Sequence, residues 1–273
     1  MREMQLTDVQ RVSLDVLKDV HEFCIENDIK YTLWGGTLIG AIRNHGFIPW
    51  DDDIDIAMTR SEYDKFVRLY HSKHGYELFA REKQGKDILL AFARVCDMDR
   101  TYVDTAIIPW NKKATGVWID VFPLDGAEPE YEKAVKQSDA ITKIWHLSVK
   151  VKRSRASFST REGLVSKMKL LALRILYGWR MNIWDKHINM CRKIRFDQST
   201  NYSNFSWCGF GMKEYYQTKA FDGYMLQRFE DCEFSVMQGY DGALRSKYGD
   251  YMQLPPEEER VPRHSVNKFY WKN

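Results

Sequence analysis

The run Gly46-Phe-Ile-Pro-Trp-Asp-Asp-Asp-Ile-Asp-Ile-Ala-Met58 constrains this chain more than any other. From Asp53 to Met58 acidic and apolar residues alternate with the period of a strand. Asp53 and Asp55 are therefore predicted to face one side while Ile54 and Ile56 enter a core on the other. Carboxylates held that close repel one another unless a cation neutralises them, and hard oxygen ligands suit Mg²⁺, or Mn²⁺ in its place. Asp120, in Val117-Trp-Ile-Asp-Val121, is again an acid between apolar neighbours, predicted on an adjoining strand within reach of the same ion. Asp51 stands as an outer candidate. A calcium loop of the EF-hand type is excluded, because its glycine and terminal Glu are not correctly placed.

Upstream, Tyr31 to Trp34 reads as a short strand that runs into Gly35-Gly36-Thr37 and then a helical segment, Leu38 to Arg43. Such a turn offers backbone N–H groups to phosphate oxygens. Arg43, and Arg94 within a strand-like run, are candidate diphosphate ligands; for Arg43 a helix-end charge is an equal alternative.

Around this centre the chain reads as α/β. A helix is expected from about Leu6 to Asn27, opened by a Thr7/Gln10 capping box, and another to about Ser72, opened by Ser61 and Asp64. Strands are expected at Tyr76–Ala80, Ile88–Val95, Thr101–Ile108 and Val117–Val121, giving a mixed sheet with flanking helices over residues 1–127. Residues 128–273 read as a helical and irregular extension completing the acceptor side of the site, with a break near Ser154–Thr160.

The five cysteines lack any CxxC pair and read as free thiols. The N-terminus has no signal-peptide pattern and no apolar run approaches a membrane span, so a cytoplasmic protein is expected. Residues 150–195 hold 13 Lys+Arg against 2 Asp+Glu in a chain of net charge +3, which leaves 3 − 11 = −8 elsewhere. Within it Leu164, Met168, Leu171, Ile175, Trp179 and Ile183 recur at helical spacing among cations. That pattern, with Trp179 and Trp184 suited to a headgroup boundary, predicts a peripheral contact with the inner membrane face. A rival reading, a basic nucleic-acid or membrane-surface binder without catalysis, leaves the Gly-Gly turn and Asp120 unexplained, and no nucleic-acid partner is expected.

The order Gly-Gly, Asp-apolar-Asp, apolar-Asp-apolar resembles the signature of the nucleotidyltransferase superfamily. More narrowly, Trp34-Gly-Gly-Thr-Leu-Ile-Gly-Ala-Ile-Arg43 followed by Gly46 to Asp55 resembles the LicD family of phosphocholine transferases, related to fukutin and fukutin-related protein. Asp120-Val-Phe-Pro-Leu-Asp125 and Tyr248-Gly-Asp-Tyr-Met-Gln-Leu-Pro-Pro256, with Arg260 and His264 after it, extend the resemblance over nearly the whole chain. It implies a nucleotidyltransferase-like fold and a CDP-alcohol donor, commonly CDP-choline. A glycan or teichoic-acid precursor, lipid-linked in some settings, would be the acceptor, and CMP the leaving group. In that chemistry Asp53 and Asp55 are metal ligands, Asp120 is a further ligand or the base, and His264 touches donor or acceptor. Trp50, Trp110, Trp118 and Trp207 are candidates to box a choline headgroup. CDP-glycerol, CDP-ribitol or nucleotidyl transfer would use the same site.

Overall fold

The computed structural model describes residues 1–104, 115–156, 182–262 and 267–272, with Met168, Leu171, Ala172 and Ile175 as single helical residues. β1 (Arg2–Glu3) leads into α1 (Leu6–Glu26), which buries Val9, Val12, Val16, Leu17, Val20 and Phe23 along one stripe. The capping box is Gln5 with Asp8, not Thr7 with Gln10: Asp8 takes the Gln5 N–H at 3.2 Å. Gln10 instead donates to the Asp51 carbonyl at 2.9 Å.

β2 (Thr32–Leu33) and α2 (Gly35–Ile39) follow, the latter continuing as a π turn over Gly40–Asn44. Next come β3 (Asp55–Thr59), α3 (Arg60–Leu69), β4 (Glu77–Phe79), α4 (Arg81–Gln84), β5 (Ala93–Asp97), β6 (Thr101–Asp104) and β7 (Val117–Ala127). The expected cap at Ser61 and Asp64 does not form. Thr59 is the N-cap, and Asp64 accepts two hydrogen bonds from Arg192 at 2.7 Å. α3 also stops at Leu69, because Ser72 turns back to donate to Asp19 at 3.0 Å. Of the strand expected over Ile88–Val95 only the part from Ala93 forms; residues 88–92 are a buried loop. β6 ends at Asp104, and the expected continuation lies outside the described residues.

Beyond β7 come α5 (Tyr131–Ala156), α6 (Ile183–Cys191), β8 (Asn201–Ser203), β9 (Tyr216–Gln217), the hairpin β10 (Tyr224–Phe229) and β11 (Cys232–Met237), α7 (Tyr240–Tyr248) and β12 (Lys268–Trp271). The break expected from Ser154 is not seen up to Ala156, where α5 ends, and the rest of it falls outside the described residues. α6 buries Ile183, Trp184 and Ile188 against Leu89 and Ala91. This corrects the membrane reading for Ile183 and Trp184, whose apolar faces are taken up by the core; Leu164 and Trp179 lie outside the described residues. No helix among the described residues is long and apolar enough to cross a membrane.

The central sheet has the order β2-β3-β7-β5-β4, and β8 and β9 extend it from the far end of β7. Among the described residues only β3 and β7 run parallel in it. The Asp120 N–H donates to the Ile54 carbonyl at 2.9 Å, so even-numbered N–H groups of β7 point to β3 and odd-numbered ones to β5. Pro123 can therefore sit inside this strand, because its missing N–H faces the side that β5 has already left, its last partner there being Val121. Side chains alternate likewise. Ile54, Ile56, Met58, Ile119 and Val121 join α1 and α3 in the main core. Ala57, Trp118 and Phe122 lie on the other face with Trp34, Phe92, Tyr202 and Tyr216.

α6 also buries His187, whose Nε2 donates to the Phe205 carbonyl at 2.9 Å. Burial pushes this imidazole from the usual 6.5 down to about 4, against the opposing pull of Phe205 and Asp125. The unfolded chain therefore binds more protons than the fold between those values. Stability is complete above pH 6.5 and about 3 kcal/mol of it is lost as pH falls to 4. His187→Gln keeps a donor for Phe205 and removes the titration. Denaturant melts across this range should show a clearly flatter pH profile in that variant.

Candidate active site

The Gly-Gly turn folds directly over the first strand of acids. Trp34 N–H donates to the Asp55 carbonyl, and Asp55 N–H donates to Thr37 Oγ1, both at 2.9 Å. Gly35 has φ +56°, and a Cβ there would lie 2.8 Å from Asp55 Oδ2; one on Gly36 would lie 2.6 Å from Asp51 Oδ2. Glycine is required at both positions because carboxylates occupy the space a side chain would need.

Asp51, Asp52 and Asp53 form the loop ahead of β3, and one oxygen of each lies within 4.8 Å of the others. Asp53 is thus not on the strand with Asp55, which is the first strand residue. The chain is still turning here, with Asp51 N–H bonded to the Ile48 carbonyl at 2.8 Å. Asp52, buried, is a member that sequence reasoning passed over, although the run of three acids was visible. Asp55 stands opposite Asp120 in the parallel register. Burial, then Asp53, Asp120 and Asp51, push the Asp55 carboxyl well above the ordinary range, against the opposing pull of Lys247.

Asp120 is buried and held by Arg94, its cross-strand partner on β5, at 2.5 Å (Nε to Oδ1) and 3.1 Å (Nη2 to Oδ2). The same guanidinium lies 4.2 Å from the centre of the Trp118 ring. Arg94 therefore faces a carboxylate in this structure where the sequence suggested a phosphate. Arg43 donates to the backbone carbonyls of Tyr251 at 2.9 Å and Gln253 at 3.4 Å, tying the π turn to the C-terminal segment. Trp50 lies under Arg260 at 5.7 Å, and Trp207, 43% exposed, contacts Phe92 and Trp145. His264 and Trp110 fall outside the described residues. A further buried pair, Lys247 with Glu214 at 2.7 Å, carries no sequence signal beyond Lys247 standing next to Tyr248.

The donors gathered here are all carboxylate oxygens. Asp55 bears a charge its surroundings disfavour, and the Gly35-Gly36 backbone presses close to both Asp55 and Asp51. That set fits a hard divalent cation such as Mg²⁺ or Mn²⁺, and not a soft one.

A mixed α/β sheet with acids placed at its parallel strand pair is consistent with a nucleotidyltransferase-like fold. The family model for the LicD/FKTN/FKRP nucleotidyltransferase domain matches residues 28–143, from just ahead of β2 into α5. The lipopolysaccharide cholinephosphotransferase LicD of Haemophilus influenzae is 32% identical over 272 residues, covering 97% of each chain. Uncharacterised proteins of Rickettsia typhi and Rickettsia prowazekii match shorter stretches, 36% over 70 residues and 47% over 47, which cover 25% and 17% of this chain and 23% and 18% of theirs. The chain belongs to the LicD family and is an enzyme of that phosphotransferase type.

Gly35→Ala combines a clash with Asp55 Oδ2 and a left-handed backbone. It should lower turnover by roughly a hundredfold, the scale of a misplaced catalytic group, while circular dichroism stays native. Near-normal turnover in the folded variant would show that the close approach is not needed.

Proposed function

We propose that the protein transfers phosphocholine from CDP-choline to a sugar hydroxyl of a cell-surface glycan and releases CMP. The supporting observation is the carboxylate group Asp51, Asp52 and Asp53 beside Asp55, covered by the Gly35-Gly36 turn. The Haemophilus relative, matched from end to end, is named for the same transfer onto lipopolysaccharide.

Asp51, Asp52 and Asp53, with one oxygen of each within 4.8 Å of the others, would hold the cation together with Asp55. Bound there, Mg²⁺ would neutralise the donor diphosphate. The acceptor oxygen bonds to the phosphorus that carries choline, the bond from that phosphorus to the bridging oxygen breaks, and CMP takes the electron pair. The hydroxyl proton passes to a carboxylate of the centre. Asp120, with both oxygens accepting from Arg94, fixes Arg94 and Trp118 beside these acids.

Incubation with CDP-choline, Mg²⁺ and a lipopolysaccharide glycan should release CMP, and EDTA should stop it. Asp53→Asn and Asp55→Asn should each cost at least a hundredfold in turnover, the scale expected when a group stabilising developing charge is lost, with the fold intact. Turnover of CDP-glycerol or CDP-ribitol without CDP-choline would reject the donor and keep the chemistry. Full activity in EDTA would reject the metal.

A peripheral seat on a membrane accompanies this reading. Its support is the exposure of the helical residues Met168, Leu171 and Ile175, at 64%, 42% and 56%, within the basic 150–195 stretch. Flotation should show binding to anionic vesicles that weakens with salt. No binding to anionic vesicles at low salt would reject it.

A further inference from the structure

Asp55 and Asp120 leave the sheet on the face that also carries Ala57, Trp118 and Phe122. Phe122 stands two residues beyond Asp120, about 6.6 Å further along β7. From there aromatic rings follow one another, with centroids 4.5 Å apart from Phe122 to Phe92, 6.3 Å from Phe92 to Trp207 and 5.5 Å from Trp207 to Trp145. Arg94, which holds Asp120, lies 5.7 Å from the Phe92 centroid, so this line of rings touches the acid centre. Burial falls along it. Phe122 and Phe92 are buried, Trp145 is half-buried and Trp207 is 43% exposed.

The loop that presents Trp207 is pinned from several sides. The Trp207 backbone N–H donates to Asn204 Oδ1 at 3.3 Å, the same oxygen accepts from the Ser206 hydroxyl at 2.6 Å, and both partners are buried. The Phe205 carbonyl takes the His187 imidazole of α6. A Cβ on Gly209 would lie 2.8 Å from Trp207 Nε1, so the absence of a side chain there gives the indole its room. The Trp207 plane meets that of Trp145 at 73° and that of Phe92 at 78°. The result is a fixed corner of rings, open on one side, of the kind that receives a quaternary ammonium against its ring faces.

Two of the other rings nominated for this role already carry a cation of the protein itself. Arg94 lies 4.2 Å from the Trp118 centroid and Arg260 5.7 Å from that of Trp50. Trp118 is also buried, at 4% exposure. Among the described residues no lysine or arginine stands over Trp207.

We propose that Trp207, walled by Trp145 and Phe92, is the subsite for the trimethylammonium end of the donor and the residue that separates choline from an uncharged alcohol. An acid centre that binds phosphate through a cation, with an aromatic corner at the end of a short line of rings, matches the two ends of one phosphocholine group. The inference rests on the CDP-choline reading above and adds to it where the headgroup sits.

Calorimetry in Mg²⁺ without acceptor tests this, with CDP-choline, CDP-glycerol and CDP titrated into wild type, Trp207→Leu and Trp207→Phe. Trp207→Leu keeps apolar bulk and removes the ring. It should weaken CDP-choline roughly tenfold, the scale of a partly desolvated cation–π contact, and leave CDP-glycerol and CDP unchanged. Trp207→Phe keeps a ring face and should recover most of that loss. Equal weakening of all three ligands would make Trp207 a support of the fold and overturn the proposal. Unchanged CDP-choline affinity in Trp207→Leu would overturn it too while leaving the donor reading intact, and a raised KM for the glycan in that variant would then assign the ring to the acceptor. Wild-type binding of CDP-glycerol without CDP-choline would instead reject the donor reading, and the subsite with it.

Discussion

Two acids on adjacent parallel strands are the constraint around which the rest of this structure is arranged. The register that sets Asp55 opposite Asp120 is fixed by apolar residues on the other face, Ile54 and Ile56 on β3 and Ile119 and Val121 on β7. A slip of one residue in either strand would turn that strand's acid into the core. Keeping them in place then requires positive charge nearby, and the two acids meet that need differently. Asp120 is matched by Arg94 across the antiparallel side of β7. Among the described residues Asp55 has no such cross-strand partner, and the cation that opposes its raised pKa, Lys247, comes from α7, nearly two hundred residues later in the chain. Asp120 is therefore paired, whereas burial and the neighbouring carboxylates disfavour the charge on Asp55.

The long separation explains why the ends of the chain belong to one site. The loop carrying Asp51 to Asp53 is tied at its carbonyl side by Gln10 of α1. Just before it, the Phe47 N–H donates to Glu230 at 2.9 Å, and Arg43 holds Tyr251 and Gln253. Each tie joins the acidic loop to a segment far away in sequence. The Tyr248–Tyr251 run, legible only as part of a family resemblance, thus has a physical reason to accompany the Gly-Gly turn.

What the sequence disclosed follows the same logic. Asp55 and Asp120 were readable because strand alternation is a local rule. Gly35 and Gly36 were readable as a turn but not as the roof over two carboxylates, since local pattern does not show what presses on a backbone. Asp53 was misplaced by extending the alternation two residues beyond the strand, into a loop still turning after Pro49. Arg43 and Arg94 looked like phosphate ligands because charge is visible in a sequence and its partner is not. Ile183 and Trp184 looked interfacial for a related reason: an amphipathic stripe is the same whether it faces lipid or, as here, Leu89 and Ala91. Lys247 and Glu214 had no pattern at all, being a lysine and a glutamate that meet only in the fold.

β7 shows how one strand serves both site and scaffold. Asp120 and Asp125 are five residues apart, an odd number, so they leave the strand on opposite faces. Asp120 meets Arg94 on the face of the acid centre. Asp125, fully buried, meets Arg60 at the start of α3 in two bonds of 2.7 and 2.6 Å. The second pair pins α3 to the strand it must cross, and α3 follows β3 without a loop, so holding α3 also holds the strand that begins with Asp55. Removing either member of so buried a pair strands a charge and costs about 3–5 kcal/mol. The apparently redundant acid in the Asp120 to Asp125 motif is thus the mechanical support of the other: one carboxylate faces the chemistry, and the second fixes the frame on which that chemistry's partner stands.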